Sequence, residues 1–301
     1  MHNGSAGTRT GGNHALEVGV IMEYFRNKNV YITGGSSGIG LEIARRAAAE
    51  GAHVLIFART ASKLDQACRD IVKHRADALQ RIASMPLDVS DDSTVRGVMD
   101  RAVREFGPPD VLVTSAGVGS ADHFANITFE AFDAVMRINL YGTRNVMAAL
   151  MGPLKARKGH VAIISSIAGH LGMFGYTAYG TSKFALVGFA ECIRGELKRQ
   201  GIRLTLACPP ETDTPFLVEE GKTIPPQSRA LKDMAGTLKP EFVADRILRG
   251  IRKNTYLVIP GFRARALYLA QCYSPGWISR HIADITVARV DRKLRKESAA
   301  G

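Results

Sequence analysis

A tyrosine and a lysine four residues apart have types and a spacing that could support catalysis. They are Tyr179 and Lys183 in the segment AYGTSK, and a helix places residues at this spacing on one face. A lysine ammonium beside a phenol favours the phenolate and lowers the tyrosine pKa from about 10. The pair therefore predicts a tyrosine that exchanges a proton with a substrate nearer neutral pH.

Two other polar residues accompany this pair. Ser166 ends the apolar segment HVAIISS, thirteen residues before Tyr179, and its hydroxyl could stabilise negative charge on the same substrate oxygen. Asn139 lies inside a helical segment, although asparagine is a poor helix former, and we expect its side-chain amide to hold a water near Lys183. A structural hydrogen bond is the alternative for each of these residues.

A glycine-rich segment, TGGSSGIG, follows an apolar segment and opens an amphipathic one. Glycines let backbone N–H groups approach a pyrophosphate, and the N-terminus of a helix adds partial positive charge. In this context the segment predicts a dinucleotide site, with an ordinary tight turn as the alternative. The expected contacts are Gly34, Ser36, Ser37, Gly38, Ile39 and Gly40.

The residue that follows the second apolar segment indicates which dinucleotide is used. An NAD site usually has an acid about 20 residues beyond the glycines, whereas this chain has Arg59 in the segment FART. A guanidinium accepts no hydrogen bond but can bind a 2′-phosphate in bidentate fashion. We therefore predict NADPH/NADP+ as the cofactor, the alternative being a solvated arginine. Further contacts to the adenine and its ribose are expected from Asp88, Val89, Ala116 and Gly117.

Short apolar segments alternate with longer amphipathic ones through residues 29–261. This alternation predicts a parallel sheet with helices on both faces, and right-handed crossovers make it a doubly wound α/β fold. Ligands of such sheets bind at the carboxyl ends of the strands, where the residues described above are expected. We predict one domain at 29–261, preceded by a mobile tail at 1–28 and followed by a basic amphipathic extension at 262–301. Residues 129–151 are expected to form one helix.

The formal net charge is +12, and much of the excess lies in residues 249–301. No zinc-finger spacing or RNA-binding aromatic motif accompanies it, so we expect no nucleic-acid partner. The four cysteines lack metal or disulfide spacing, which is typical of a reduced, cytoplasmic protein without a metal site. The sequence shows neither a signal peptide nor a transmembrane segment. Because the extension mixes arginines with large apolar residues, it would suit either a membrane interface or packing on protein.

Together, residues 33–40, Asp88, Asn139, Ser166, Tyr179 and Lys183 resemble the motifs of the short-chain dehydrogenase/reductase family, in the family's order and spacing. The resemblance implies a Rossmann-type single domain, a nicotinamide cofactor and a homo-oligomer, a dimer or tetramer formed through the long helices. It makes Asn139, Ser166, Tyr179 and Lys183 a catalytic tetrad, with Lys183 also on the nicotinamide ribose. It further implies that Pro209, Thr212 and Thr214 contact the nicotinamide carboxamide.

The chain departs from the family pattern at two places. The fourth-strand motif is TSAG where the family has Asn-Asn-Ala-Gly, so without the amide at Ser115 the central strands must be pinned differently. After the sixth strand, Pro209 and Pro210 replace the usual Pro-Gly. Neither change affects the tetrad.

Within the family, SSIAGHLGMFGYTAYGTSK and PPETDTP resemble the members that reduce 3-ketodihydrosphingosine to dihydrosphingosine. This implies a long-chain keto-sphingoid base as substrate, its amine paired with Glu211, Asp213 or Glu219, although solvated acids would give the same pattern. Eukaryotic members carry a membrane-spanning N-terminus. We expect this protein to be a cytoplasmic form without that segment. Peripheral contact with the inner membrane surface is left open. Action on a steroid, retinoid or other apolar ketone is one alternative, and a non-catalytic NADPH-binding regulator is another.

Overall fold

The computed structural model describes residues 24–119, 121–221 and 223–300, without the side chains of residues 219, 299 and 300. Most of the predicted N-terminal tail, residues 1–23, lies outside this range. The described strands form one parallel sheet in the order β3-β2-β1-β4-β5-β6-β7. They are β1 (Asn29–Thr33), β2 (His53–Ala58), β3 (Ile82–Pro86), β4 (Val111–Thr114), β5 (His160–Ile164), β6 (Arg203–Ala207) and β7 (Leu257–Val258).

Helices cover both faces of this sheet. They are α1 (Gly38–Ala49), α2 (Ala61–Val72), α3 (Asp92–Phe106), α4 (Phe129–Met136), α5 (Gly142–Arg157), α6 (Thr177–Arg199), α7 (Pro215–Glu220), α8 (Pro226–Ala235), α9 (Pro240–Arg252), α10 (Phe262–Tyr273) and α11 (Gly276–Ala300). The predicted doubly wound α/β fold is confirmed.

Successive side chains of a strand point to opposite faces of a sheet, and β1 shows how this divides the core. Tyr31 packs with buried residues of α3, α5 and α6, whereas Val30 and Ile32 pack with those of α1, α2 and α9. Because both faces are covered, the strands are apolar at nearly every position. This explains the continuous apolar segments in the sequence.

The helix predicted at 129–151 is longer and less regular than expected. It extends to Arg157, and the turn Arg137–Tyr141 is a π-helix between α4 and α5. Such wide turns often occur at functional sites, and this one contains Asn139. The residue that looked unsuited to a helix interior therefore lies where the helix departs from regular geometry.

Backbone hydrogen bonds hold the central strand ends together at the carboxyl edge. The N–H of Ser115 donates to Thr33 O at 3.2 Å, and that of Ala116 donates to Thr33 Oγ1 at 3.3 Å. Across the next strands, Ser165 N–H donates to Ala207 O at 2.8 Å. These contacts to Thr33 hold the central strands together in the absence of the asparagine amide that the family has at the position of Ser115.

Two regions that contain no strand also lie at the carboxyl edge of the sheet. Residues 215–235, for which no helix or strand was predicted, contain α7 and α8, and the extension forms α10 and α11, which both pack against α8. Packing on the domain is therefore one role of the extension. None of the described helices is long and apolar enough to cross a bilayer.

Candidate active site

A cavity of about 1180 Å³ lies at the carboxyl edge of the sheet. Its wall comes from the glycine-rich turn, the ends of β5 and β6, the start of α6, and helices α7, α8, α10 and α11. The predicted residues that line it are Gly34, Ser37, Gly38, Ile39, Gly117, Ser166, Tyr179, Lys183, Pro209, Glu211, Thr212 and Thr214. Of the other predictions, Ser36, Gly40, Arg59, Asp88, Val89, Ala116, Asn139 and Asp213 lie outside the cavity wall.

Ser166, Tyr179 and Lys183 meet at one place in this wall because β5 ends beside the first turns of α6. The Lys183 Nζ donates to Ile164 O, the last residue of β5, at 3.1 Å. It lies 5.5 Å from the centroid of the Tyr179 ring. Ser166 Oγ accepts from the Ala168 N–H at 3.1 Å and donates to Pro209 O over a long 3.4 Å. The hydroxyl is thus held facing the cavity by a weak bond that a ligand oxygen can replace.

Burial decides the protonation of the tyrosine and lysine. Burial raises the pKa of the Tyr179 phenol above its usual value, and the hydrogen bond with Ser166 only partly opposes this. Burial also lowers the pKa of Lys183 to about 8. The expected lowering of the Tyr179 pKa by Lys183 is therefore wrong for this arrangement, since desolvation of the phenolate is the larger effect. At neutral pH the phenol carries its proton.

The buried side chain of Asn139 joins the loop after β4 to α6. Its Oδ1 accepts from Val118 N–H at 2.8 Å, and its Nδ2 donates to Val118 O at 3.0 Å and to Ser182 Oγ at 2.9 Å. Ser182 Oγ in turn donates to Tyr179 O at 2.7 Å. Because both amide N–H groups are used, the structure supports a positioning role for this side chain, and the expected water near Lys183 stays a prediction. Ser182, which sequence reasoning missed, stands inside the motif YGTSK beside Lys183.

The glycine-rich turn fits a pyrophosphate. Gly34 has φ +67°, and a Cβ there would lie 2.8 Å from the Ala116 backbone; a Cβ on Gly40 would lie 2.4 Å from Gly34 O. Within the part of the chain that the structure describes, the N-cap Ser37 leaves the first-turn N–H groups of α1 uncapped. Those donors face the cavity at a helix N-terminus, which favours an anion.

Arg59 and Asp88 lie beside this turn, at the adjacent strand ends. Phe57 O accepts from the N–H groups of Gly34 at 2.8 Å and Gly35 at 3.3 Å, so exposed Arg59, two residues further, is next to the turn. Partial burial raises the pKa of Asp88, but hydrogen bonds from Ser90 and the charge of Arg59 outweigh it and lower the pKa overall. An exposed guanidinium at this edge fits a 2′-phosphate.

The three acids predicted to bind the substrate amine lie in different environments. The Glu211 carboxylate is paired with Lys232, accepts from Thr237 Oγ1 at 2.6 Å, and lies 3.7 Å from Arg229. This carboxylate already has cationic partners, and its pairing with a substrate amine stays a prediction. Asp213 is exposed and is not among the residues of the cavity wall, so the structure lends no support to its predicted role. Glu219 lies in α7, and its side chain is outside the described part of the structure.

Glu220 is the acid of this loop that is buried in the cavity wall. It forms an ion pair with Lys232. Its charge adds to the larger effect of burial in raising the pKa of both Tyr176 and Tyr179, so its carboxylate is close to the reacting phenol. No cluster of potential metal ligands occurs among the described residues.

The extension contributes a wall that sequence reasoning did not assign to the site. The lining residues of α10 and α11 include Leu267, Ala270, Ile278, Ile282, Ala283 and Val287. Their signal in the sequence is a helical spacing of apolar residues. The helices that carry them pack against α8, which lies in a segment for which no helix or strand was predicted.

Comparison with known proteins agrees with this geometry. A family model described as short chain dehydrogenase matches residues 28–224. A 3-ketodihydrosphingosine reductase of Mus musculus is 40% identical over 73% of this chain and 67% of its own length. A 3-dehydrosphinganine reductase of Arabidopsis thaliana is 37% identical over 81% of this chain and 72% of its own length. The structure of L-sorbose reductase from Gluconobacter frateurii, complexed with NADPH and L-sorbose, has a TM-score of 0.69 and 25% identity, covering 78% of this chain and 96% of that one. The chain belongs to the short chain dehydrogenase family.

Proposed function

We propose that this protein reduces the 3-keto group of 3-ketodihydrosphingosine to dihydrosphingosine, with NADPH as the reductant. The observation that carries the proposal is the convergence of Ser166, Tyr179 and Lys183 on one large, mostly apolar cavity. The relatives named as reductases of this ketone support the choice of substrate. The uncapped N-terminus of α1 and the exposed guanidinium of Arg59 support the choice of cofactor.

Each residue of the site has its own role in the carbonyl reduction. NADPH, when bound, supplies the hydride to the carbonyl carbon. Tyr179, protonated at neutral pH, donates its proton to the carbonyl oxygen. Ser166 exchanges its long bond to Pro209 O for that oxygen and stabilises the charge that develops there. The Lys183 ammonium, held by Ile164 O, stabilises the phenolate that remains.

The decisive experiment is NADPH consumption with 3-ketodihydrosphingosine and a panel of other apolar ketones, including a steroid and a retinoid, with the product identified by mass spectrometry. We expect turnover of the sphingoid ketone and its loss in Tyr179→Phe. The exposed Tyr141→Phe serves as the control and should keep the wild-type rate. Turnover of only another ketone, or substantial activity of Tyr179→Phe, would refute the proposal.

We further propose that Glu220 binds the substrate's ammonium group. The amine of the substrate is on the carbon next to the carbonyl, so its partner must lie near Tyr179, as the buried Glu220 does. Glu220→Gln should raise KM by roughly tenfold or more, the value of a charge-assisted hydrogen bond. Asp213→Asn, at the exposed acid of the same loop, should leave KM unchanged. Equal values for both variants would contradict this role.

Peripheral membrane contact through the extension is a separate proposal. Phe262 and Tyr273 are 87% exposed and Trp277 is 63% exposed, and neighbouring arginines suit anionic headgroups. Co-sedimentation should be stronger with anionic than with neutral vesicles and should weaken in Trp277→Ala. Equal sedimentation of the variant and the wild type would argue against this contact.

A homo-oligomer formed through the long helices is the last part of the proposal. Phe129 at the start of α4 and Phe184 on α6 are exposed, as expected of side chains that a second copy would cover. Analytical ultracentrifugation should show a dimer or tetramer that Phe184→Glu weakens. A wild-type monomer at micromolar concentration would refute this assembly.

A further inference from the structure

Helices of the extension line one side of the cavity, which we call its arm. Residues from Ile278 to Asp291 of α11 line it, a length of about 20 Å at 1.5 Å per residue. The family model ends at residue 224, so α8, α10 and α11 lie beyond the matched segment. This arm is therefore a feature that the family's shared motifs do not account for.

The surface of the arm is chiefly apolar. Leu231 and Met234 of α8 face Leu267 of α10 and Ile278, Ile282, Ala283 and Val287 of α11 across the same cavity. Arg280 and Asp284, which are polar, and Met234 and Ile282, which are apolar, are the more exposed residues in this part of the wall. Asp291 accepts a hydrogen bond from Gln227 Nε2 at 2.6 Å. The interior of the arm thus favours a hydrocarbon over a polar ligand.

The arm is also continuous with the catalytic residues and distinct from the cofactor contacts. One cavity holds Ser166, Tyr179 and Lys183 together with the α11 wall. Its 1180 Å³ also includes the space beside the glycine-rich turn that the cofactor would occupy. The predicted cofactor residues Gly34, Ser37 and Gly38 lie in the glycine-rich turn, not in the arm. A ligand with a ketone at Tyr179 and a long apolar body would fill both parts.

We propose that this arm binds the alkyl chain of the substrate and that α10 and α11 set the chain length the enzyme accepts. A lipid chain spans one leaflet, about half of the ~30 Å hydrocarbon core of a bilayer. The α11 wall, about 20 Å long, is sufficient for a chain of that length. This inference rests on the proposed ketone reduction and adds the part of the protein that selects the chain.

The first test uses the wild-type protein and a series of 2-amino-3-ketones of increasing chain length, below the concentration at which they aggregate. Each methylene buried in the arm should raise kcat/KM by about fourfold until the arm is full. A value of kcat/KM that does not change with chain length would overturn the inference while leaving the proposed reduction standing. Absence of turnover at every length would instead refute the proposed reduction.

The second test compares two alanine-to-tryptophan variants of the full chain. Ala283→Trp adds bulk inside the arm and should lower kcat/KM for the longest substrate by about fifteenfold, equivalent to losing roughly two methylenes of contact. It should leave the shortest substrate and NADPH affinity unchanged. Ala266→Trp makes the same change on α10 at an exposed position outside the cavity wall and should behave as wild type.

Circular dichroism and NADPH titration verify that both variants are folded. If folded Ala283→Trp keeps the wild-type dependence on chain length, α11 does not contact the alkyl chain and the inference fails. If Ala283→Trp does not fold, binding of the long-chain amino alcohol product to wild-type protein decides the matter. The fluorescence of Trp277, the chain's single tryptophan at the start of α11, should then change with long but not with short amino alcohols, and equal responses to both would overturn the inference.

Discussion

Replacing Asn139 by alanine tests whether this buried amide positions the catalytic helix. The side chain makes three hydrogen bonds, to both backbone groups of Val118 and to Ser182 Oγ, at 2.8–3.0 Å. At about 1 kcal/mol for each bond, Asn139→Ala should lower the free energy of unfolding by about 3 kcal/mol. For a chain of this size that corresponds to a fall in Tm of roughly 6–12 °C.

A second readout separates positioning from stability alone. Ser182 links Asn139 to the Tyr179 carbonyl, so the variant should lose kcat when assayed well below its Tm, while NADPH affinity changes little. Asn145→Ala is the matched control, because Asn145 is also buried but makes only long hydrogen bonds, donating to Val89 O and accepting from the exposed Arg144, both at 3.2 Å. It should cost about 1 kcal/mol and keep the wild-type kcat. Thermal unfolding and steady-state kinetics measure both effects. Equal destabilisation by the two variants, or an unchanged kcat in Asn139→Ala, would refute the positioning role.

Three further predictions concern the lysine, the cofactor phosphate and the glycine-rich turn. Since burial lowers the pKa of Lys183 to about 8, kcat should fall as the pH rises through this value and the ammonium loses its proton. A pH–rate profile that stays flat to pH ~10, near the ordinary lysine pKa, would contradict this role of Lys183. Arg59→Ala should raise KM for NADPH by roughly tenfold or more, as expected for a lost charge-assisted contact, and should leave KM for NADH unchanged. Equal effects on KM for the two cofactors would exclude a contact between Arg59 and the 2′-phosphate. Gly34→Ala should abolish NADPH binding in titration, because its Cβ would lie 2.8 Å from the Ala116 backbone, whereas Gly97→Ala, where no described atom lies within 4 Å, should bind normally.

The sequence alone determined the sheet, its carboxyl edge and the candidate catalytic residues gathered there. Apolar alternation is a local property, and a strand buried on both faces must be apolar along its length. The segments around Tyr31 and Val161 could therefore be predicted without knowledge of their partners. The glycine-rich turn was equally accessible, since its conformational demands fall on consecutive residues.

Only the tertiary structure decided which groups meet at the site. Glu211 and Glu220 lie nine residues apart, and their common partner, Lys232, comes from a helix that no sequence pattern had indicated. Asn139 finds its hydrogen bonds 21 residues before it and 43 residues after it. The pKa of Tyr179 likewise depends on burial more than on the lysine four residues away.

The C-terminal helices illustrate the same division. The sequence showed that residues 262–301 were basic and amphipathic but could not show where their apolar face would pack. The face covers a cavity whose other walls come from elements between residues 34 and 235. Burial, ion pairing and desolvation arise between residues far apart in the chain, so their outcome is a property of the folded protein.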